Sequence, residues 1–376
     1  MSYSHASNHK AMVFDDFRNS VYGRALANIV TPDSVVLDLG AGLGIMGLMA
    51  ANLGARKVYL VEPQPLVKLD TDIAAANDLG DRIEVLQGRI EEVSLPEQVD
   101  VIVSVFTGNL LYSEDLLPSL FYARDHYLKP DGHLIPDRAQ LWLAPFSCEE
   151  VFEKNIGIWS KPSQNLDYSN ARKLAANEIL WYQQKDLQGT MLGKGNLASE
   201  INLMEAVAAD CDSQLSLESS LAGNCHCLLA WISLHLGDEW LSTAIDQPAL
   251  HWSNALLPLD PPLELTAGST LAVKLQRPAF GDWHWQVTTG NQHRVHSTFL
   301  SRANSTTFFA RQLPDHTGVL NENGKTSLLV LQMIQEGKPN KTIADLLMER
   351  FPARFPHAQI ASRFVQKLVL SFTEDQ

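Results

Sequence analysis

Short, unbroken apolar runs set the pattern of the first third of the chain. Val35-Val36-Leu37, Lys57 to Glu62 and Val99 to Ser104 are apolar and largely β-branched, which is what strands buried on both faces require. Ile83 to Gln87 reads as a further strand. A glycine cluster and an alanine- and methionine-rich helix separate the first two runs, and Ile73 to Asn77 reads as a helix after the second. Strand–helix alternation of this kind predicts a parallel α/β sheet. Ahead of it, residues 3 to 30 hold two short helical patterns, the second with Val13, Phe17, Val21 and Leu26 near helical spacing.

From Gln140 the texture changes. Gln140-Leu-Trp-Leu-Ala-Pro-Phe alternates like a strand, and a polar stretch flecked with aromatics runs from Cys148 to about Gln184. Strand-like runs at Cys225–Leu236, Glu264–Thr266, Leu271–Gln276, Trp283–Val287 and Arg294–Leu300 then point to a β-barrel or sandwich. Turn signals at Asp315–Gly318 and Asn321–Gly324 precede three helical patterns, Thr326–Glu336, Lys341–Phe351 and Pro356–Phe372. In the last, Ile360, Phe364 and Leu368 fall four apart.

Composition narrows the class. With 376 residues, 45% of them apolar and 19% charged, the chain reads as a soluble globular protein of two or more domains. No apolar run is long enough for a membrane span. The N-terminal MSYSHASNHK has no signal-peptide core, so the cytoplasm is the expected compartment. A net charge of −14 without a basic stripe argues against nucleic acid. Cys225-His-Cys227 lacks the spacing of a zinc motif and sits in a strand-like run, so buried thiols are expected and no metal.

The chemistry lies at Ser34–Pro63. Strand, glycines (Gly40, Gly42, Gly44), helix, strand and Glu62 follow in order. Glycine lets a ligand lie against the backbone, and an acid at the position of Glu62 can accept both hydroxyls of a ribose. The dinucleotide fingerprint would place its third glycine at position 45, which is Ile45. The G-x-G-x-G spacing after Asp38 instead resembles motif I of class I methyltransferases, whose cofactor is S-adenosyl-L-methionine (SAM).

A narrower resemblance rests on His9-x-x-Met12-x-x-Asp15-x-x-Arg18. It is similar to the N-terminal helix of the protein arginine methyltransferases, and implies that Arg18 holds the SAM carboxylate and that Asp15 pairs with a distant histidine. Leu250-His251-Trp252 resembles the family's T-H-W loop, which makes His251 that histidine. Gly88-Arg89-Ile-Glu91-Glu92 resembles the family's G-x-V-E-E, which makes Glu91, beside Arg89, the adenine contact. Ser104, Gly108 and Glu114 fall where the family has its double-glutamate hairpin. The first glutamate, however, is Val105, with Phe106 in place of tryptophan. Two carboxylates can grip a guanidinium from both sides; here Glu114 stands without that partner.

The resemblance, which covers roughly residues 3 to 290, implies a Rossmann-like seven-stranded methyltransferase domain (1–139 with the N-terminal helices) and a β-barrel-like substrate domain (140–312); the three helical patterns that follow resemble a small C-terminal helical, winged-helix-like module (313–376). It implies a dimerisation arm at about 150–185, hence a homodimer. The expected activity is SAM-dependent N-methylation of a guanidine or amine nitrogen in a peptide, protein or small molecule, with Glu114, His251 and Asp15 at the acceptor. The competing readings are a non-catalytic SAM-binding interaction protein, favoured by Val105, and a dehydrogenase, disfavoured by the glycine spacing.

Overall fold

The computed structural model describes residues 5–373. Residues 1–4 and 374–376, into which the expected N-terminal helical pattern and last module extend, lie outside the described residues. The contact pattern divides the chain into two compact units, split between Ala303 and Asn304.

The first unit opens with α1 (Ala6–Val13) and α2 (Asp16–Ile29). Asp15 caps α2, accepting the Arg18 N–H at 3.1 Å, and so satisfies one of the helix's orphan donors. The face that α2 buries is Arg18, Val21, Tyr22, Ala25 and Leu26. Phe17, expected in the apolar stripe, points outward instead, and the arginine next to it points in. Such a reversal opposes hydrophobic patterning and marks Arg18 as held for a reason other than core packing.

Five strands follow: β1 (Val35–Leu39), β2 (Lys57–Glu62), β3 (Ile83–Gln87), β4 (Val99–Ser104) and β5 (Leu128–Ile135). Between them lie α3 (Ile45–Asn52), α4 (Lys68–Ala76) and α5 (Leu117–Tyr127). All four pairings are parallel, in the order β3-β2-β1-β4-β5. The Rossmann-like layout is as expected, with five strands in the parallel sheet rather than seven. β6 (Arg138–Ser147) leaves that sheet and pairs with β11, β8 and β9.

After β6 come two short helices, α6 (Glu149–Asn155) and α7 (Arg172–Ala175), then β7 (Leu180–Gln183), β8 (Thr190–Met191), β9 (Asn196–Asn202), β10 (Cys211–Glu218) and β11 (Gly223–Leu236). The rest are β12 (Glu239–Ser242), β13 (Ser253–Leu265), β14 (Thr270–Arg277), β15 (His284–Thr289) and β16 (Gln292–Ser297). They form an antiparallel sheet centred on β13-β11-β6 and a second, β10-β14-β15-β16. Neighbouring edges, β9 beside β10 and β13 beside β16, close the pair into a barrel-like shape, and one core is continuous with that of the parallel sheet.

β10 escapes the hydrophobic pattern because its outward positions are polar and its inward ones include serine and cysteine, and β9 because it exposes Leu197 and buries only Ile201. Glu264–Thr266 proves to be the tail of a strand beginning at Ser253. Prolines 258, 261 and 262 hide its continuity; the register slips where they fall, between Cys225↔Leu263 and Cys227↔Pro258.

The second unit contains α8 (Thr306–Ala310), α9 (Glu322–Gln335), α10 (Asn340–Arg350) and α11 (Ala358–Phe372). Val330, Ile343, Ala344, Leu347, Phe355, Ala361, Val365 and Leu368 make its core. Ile360 is exposed, so the buried face of α11 runs through Ala361 and Val365 rather than Ile360 and Phe364. Residues 304–373 contain no strand, hence no wing.

Candidate functional site: the glycine loop and the hairpin beyond β4

The loop after β1 is held by its own acids. Gly40, Gly42 and Gly44 take φ of 75°, 61° and 67°, a region L side chains rarely adopt. Asp38 Oδ2 accepts the Gly47 N–H at 2.7 Å, tying β1 to the first turn of α3. Glu62 accepts N–H bonds from Gln64 at 2.9 Å and Gly42 at 3.3 Å, so the acid ending β2 holds the loop. Burial pushes the Asp38 carboxyl up to about 7, with Glu62 adding to the rise and the Gly47 N–H and Arg18 opposing it.

Two rings close on the glycines. A Cβ on Gly40 would lie 2.2 Å from Phe106, and one on Gly42 would lie 2.9 Å from the His9 imidazole. The loop is therefore a cradle that a side chain would fill. Arg18, 1% exposed, donates to Met12 O at 2.7 Å and to Asn19 Oδ1 at 2.8 and 3.0 Å. Its guanidinium lies 5.9 Å from the Trp252 ring and within electrostatic reach of Asp15 and Asp38. Among the described residues no carboxylate is hydrogen-bonded to that guanidinium.

Asp15 and His251, 236 positions apart, meet. Asp15 Oδ2 lies 2.8 Å from both His251 Nδ1 and the His251 backbone N. Burial works to raise the Asp15 carboxyl; the bonds from His251 and the Arg18 N–H outweigh it and leave the group below its ordinary value. A cavity of about 260 Å³ lined by Asp15, Asp16, Phe17 and His251 opens beside the pair.

The hairpin beyond β4 is tightly wound. Ser104 Oγ donates to Leu39 O at 3.1 Å and accepts the Phe106 N–H at 3.2 Å. Asn109, Leu110, Leu111 and Asp115 all have positive φ, at 33°, 61°, 57° and 55°. Leu110 and Leu111 are nonetheless buried in the core, and burial of this kind is what sustains such conformations. Asn109, which the sequence reading passed over, is the hub. Its Nδ2 donates to Glu114 Oε1 at 3.3 Å, and its Oδ1 accepts the Ser253 N–H at 3.0 Å. That links Glu114, which is exposed, to the start of β13 just past His251.

Asp115, the nearest acid in sequence, is committed elsewhere. It accepts Arg277 Nη2 at 2.7 Å and the Phe280 N–H at 2.9 Å. Val105 packs against the core. Glu91 and Arg89 are exposed on the segment after β3; Glu91 accepts Ser119 Oγ at 2.6 Å and the Arg89 N–H donates to Glu92 at 3.4 Å. Among the described residues no hydrogen bond connects either to the glycine loop. Among the described residues no group of three His, Cys, Asp or Glu has a metal-binding arrangement, and no helix is long and apolar enough to cross a membrane. The four cysteines are buried free thiols.

Fold and loop together resemble those of SAM-dependent methyltransferases, the arginine methyltransferases in particular. Residues 137–282 match the family described as the arginine methyltransferase oligomerization subdomain, and residues 23–136 match ribosomal protein L11 methyltransferase. The chain is 31% identical over 290 residues to a histone-arginine methyltransferase of Anopheles gambiae, covering 73% of this chain and 46% of the relative. It is 38% identical over 161 residues to a probable protein arginine N-methyltransferase of Oryza sativa subsp. indica, covering 42% of each. The chain thus spans about half the length of these curated relatives.

Among solved structures it is similar to the Trypanosoma brucei PRMT1 enzyme–prozyme heterotetrameric complex with AdoHcy, with TM-score 0.71 and 26% identity over 79% of this chain and 99% of that one. Arabidopsis thaliana protein arginine methyltransferase 10 shares the fold, with TM-score 0.67 and 22% identity over 79% of this chain and 99% of that one.

Proposed function

We propose that this protein is a SAM-dependent N-methyltransferase acting on a guanidine or amine nitrogen, with an acceptor site built around a single acid. The observation that carries the reading is Arg18: a buried guanidinium without a bonded carboxylate, electrostatically coupled to the acid of the glycine loop. A planar fork of donors in that state suits an amino acid carboxylate. Gly40, Gly42 and Gly44 would lie against the cofactor, Glu62 would accept from its ribose, and Arg89 and Glu91 would border the adenine. Asp38 would act through the loop it anchors. Bound SAM would supply an electrophilic methyl on a sulfonium.

The chain's own part in transfer is positioning and charge compensation. Glu114, oriented by Asn109, would hold one edge of a cationic acceptor. Asp15 would fix His251 so that its other ring nitrogen faces outward and can accept a proton. The division of labour we assign is cofactor binding to 1–139, acceptor binding to 140–312, and an accessory role to 313–376. Calorimetric titration with SAM and AdoHcy tests cofactor binding, and methyl-labelled SAM with arginine peptides and free amines, read by mass spectrometry, tests transfer. Absence of binding to either ligand would end this reading.

The acceptor side carries the divergence. Val105 offers no charge, and Asp115 is held by Arg277 and Phe280, so it does not replace the missing carboxylate. Restoring it by Val105→Glu is expected to raise kcat/KM for peptidyl arginine by roughly tenfold or more, because a second charged contact to a guanidinium contributes about 2 kcal/mol. An unchanged rate would show that acceptor choice is set elsewhere. The same valine favours a second reading, a SAM-binding protein without transfer activity; binding with no transfer to any acceptor would support it.

We further propose a homodimer. Ile158, Trp159, Leu166 and Tyr168 are exposed on the excursion between β6 and β7, inside the region matching an oligomerization subdomain. An apolar groove of about 410 Å³, lined by Val13, Leu43, Ile45, Leu48, Met49 and Ile73 among others, is a fitting seat for such an arm. Trp159→Asp is expected to convert dimer to monomer in light scattering, since an anchor aromatic contributes about 2 kcal/mol or more. A dimer undiminished at micromolar concentration would remove the arm from the interface.

A further inference from the structure

Asp70 is the least explained charged group in the first unit. It sits in the first turn of α4, is 0% exposed, and neither carboxylate oxygen has a hydrogen-bond partner. A buried unpaired acid is costly unless protonated or matched by a cation. Its place is specific: a Cβ on Gly44 would lie 3.2 Å from Asp70 Oδ2, so the carboxylate backs directly onto the glycine loop. The charged groups acting on it are Asp38 from β1 and Glu62 from the end of β2, with Arg18 of α2 opposing through Asp38. The start of α3, which borders Asp70 at Gly44, contributes no charged residue; β3, packed on α4, carries the half-buried Glu84, paired with Lys57 at 2.8 Å; and Lys68 and Asp72 of α4 are exposed. Three acids thus surround one loop, and among the described residues none belongs to a metal-type cluster.

We infer that Asp70, together with Asp38 and Glu62, forms a buried acidic backing to the cofactor loop that favours the cationic sulfonium form of the cofactor over its neutral thioether product. Asp70 is a positioning residue for charge; it is screened from the ligand by the loop and acts through the field, which a low-dielectric interior transmits well. The inference rests on the cofactor assignment made above. Burial first, then Asp38 and Glu62, push the Asp70 carboxyl up to about 8, so without a bound cation it holds its proton at neutral pH. A bound sulfonium stabilises the ionised form and releases that proton to solvent. Conversion to the thioether removes the stabilising charge, and the acid takes a proton back. Discrimination between the two ligands therefore grows with pH.

The test is the ratio of Kd for AdoHcy to Kd for SAM, by titration calorimetry at about pH 6 and about pH 8.5. The amino acid tail is common to both ligands, so its titration largely cancels in the ratio. The ratio is expected to rise by about tenfold in the wild type, the effect of one pKa unit of charge coupling, and by clearly less in Asp70→Asn, where Asp38, itself pushed up to about 7, is left to titrate. Repeating the titration in buffers of different ionisation enthalpy should show more proton release for SAM than for AdoHcy.

A pH-independent ratio in the wild type, or the same rise in Asp70→Asn, overturns this inference and leaves the cofactor assignment standing; failure of both ligands to bind overturns both. The variant is expected to fold. An acid raised on folding contributes stability below its unfolded value near 4 that is lost as pH rises through about 8. Asp70→Asn should therefore flatten the fall of Tm over that window, and a parallel pH–Tm curve counts against a buried, proton-holding Asp70.

Discussion

Replacing Glu114 by Gln is expected to lower kcat/KM for a cationic acceptor by about 10²–10³, while the Kd for AdoHcy changes by less than about twofold. Removing one electrostatic group aimed at the reacting centre carries a penalty of this size. Gln keeps the shape and an oxygen able to accept the Asn109 amide, so the hairpin need not move. Only charge is lost. Transfer is read by mass spectrometry and binding by calorimetry. An undiminished rate with intact binding would take Glu114 out of the acceptor site and turn attention to the cavity beside Asp15 and His251.

The second large effect is at the other end of the ligand. Arg18→Leu is expected to weaken SAM and AdoHcy by about 10²–10³, the consequence of breaking a buried charge-assisted pair. Arg18→Lys should fall between, because an ammonium keeps the charge but not the fork. A control separates grip from fold: 5′-methylthioadenosine, which lacks the amino acid tail, should bind wild type and Arg18→Leu alike. If the variant loses this ligand equally, Arg18 supports the helix through Met12 and Asn19 and not the carboxylate.

What could be read from the chain before folding was whatever is written in local order. Glycine spacing, the carboxylate that ends β2 and the unbroken apolar runs are local, and the parallel layer follows from them. The meeting of Asp15 with His251 was foreseen only through resemblance, since nothing in either segment names the other. Asn109 was missed for a physical reason. Its importance comes from a backbone at φ 33° that aims one amide in two directions, which loop composition does not encode. Asp70 was missed because an acid in the first turn of a helix is ordinary, and only the folded chain puts it behind Gly44. Arg277 likewise reads as a strand end, yet it ties down the acid nearest Glu114. β10 was invisible because serine and cysteine occupy its inward positions, and β9 because it buries only Ile201 and exposes Leu197.

Asp15 has one more consequence. One of its oxygens caps α2, the helix that carries Arg18, and the other receives two bonds from His251. On the assignment proposed above, the segment that would meet the cofactor and the loop that would border the acceptor share a single carboxylate. Ordering of one segment lowers the entropy left to lose in the other. By thermodynamic reciprocity, whatever factor the cofactor lends to acceptor affinity the acceptor must return. Breaking the joint, as in Asp15→Ala, should appear less in either affinity measured alone than in the factor by which one ligand raises the affinity for the other, which should move toward one.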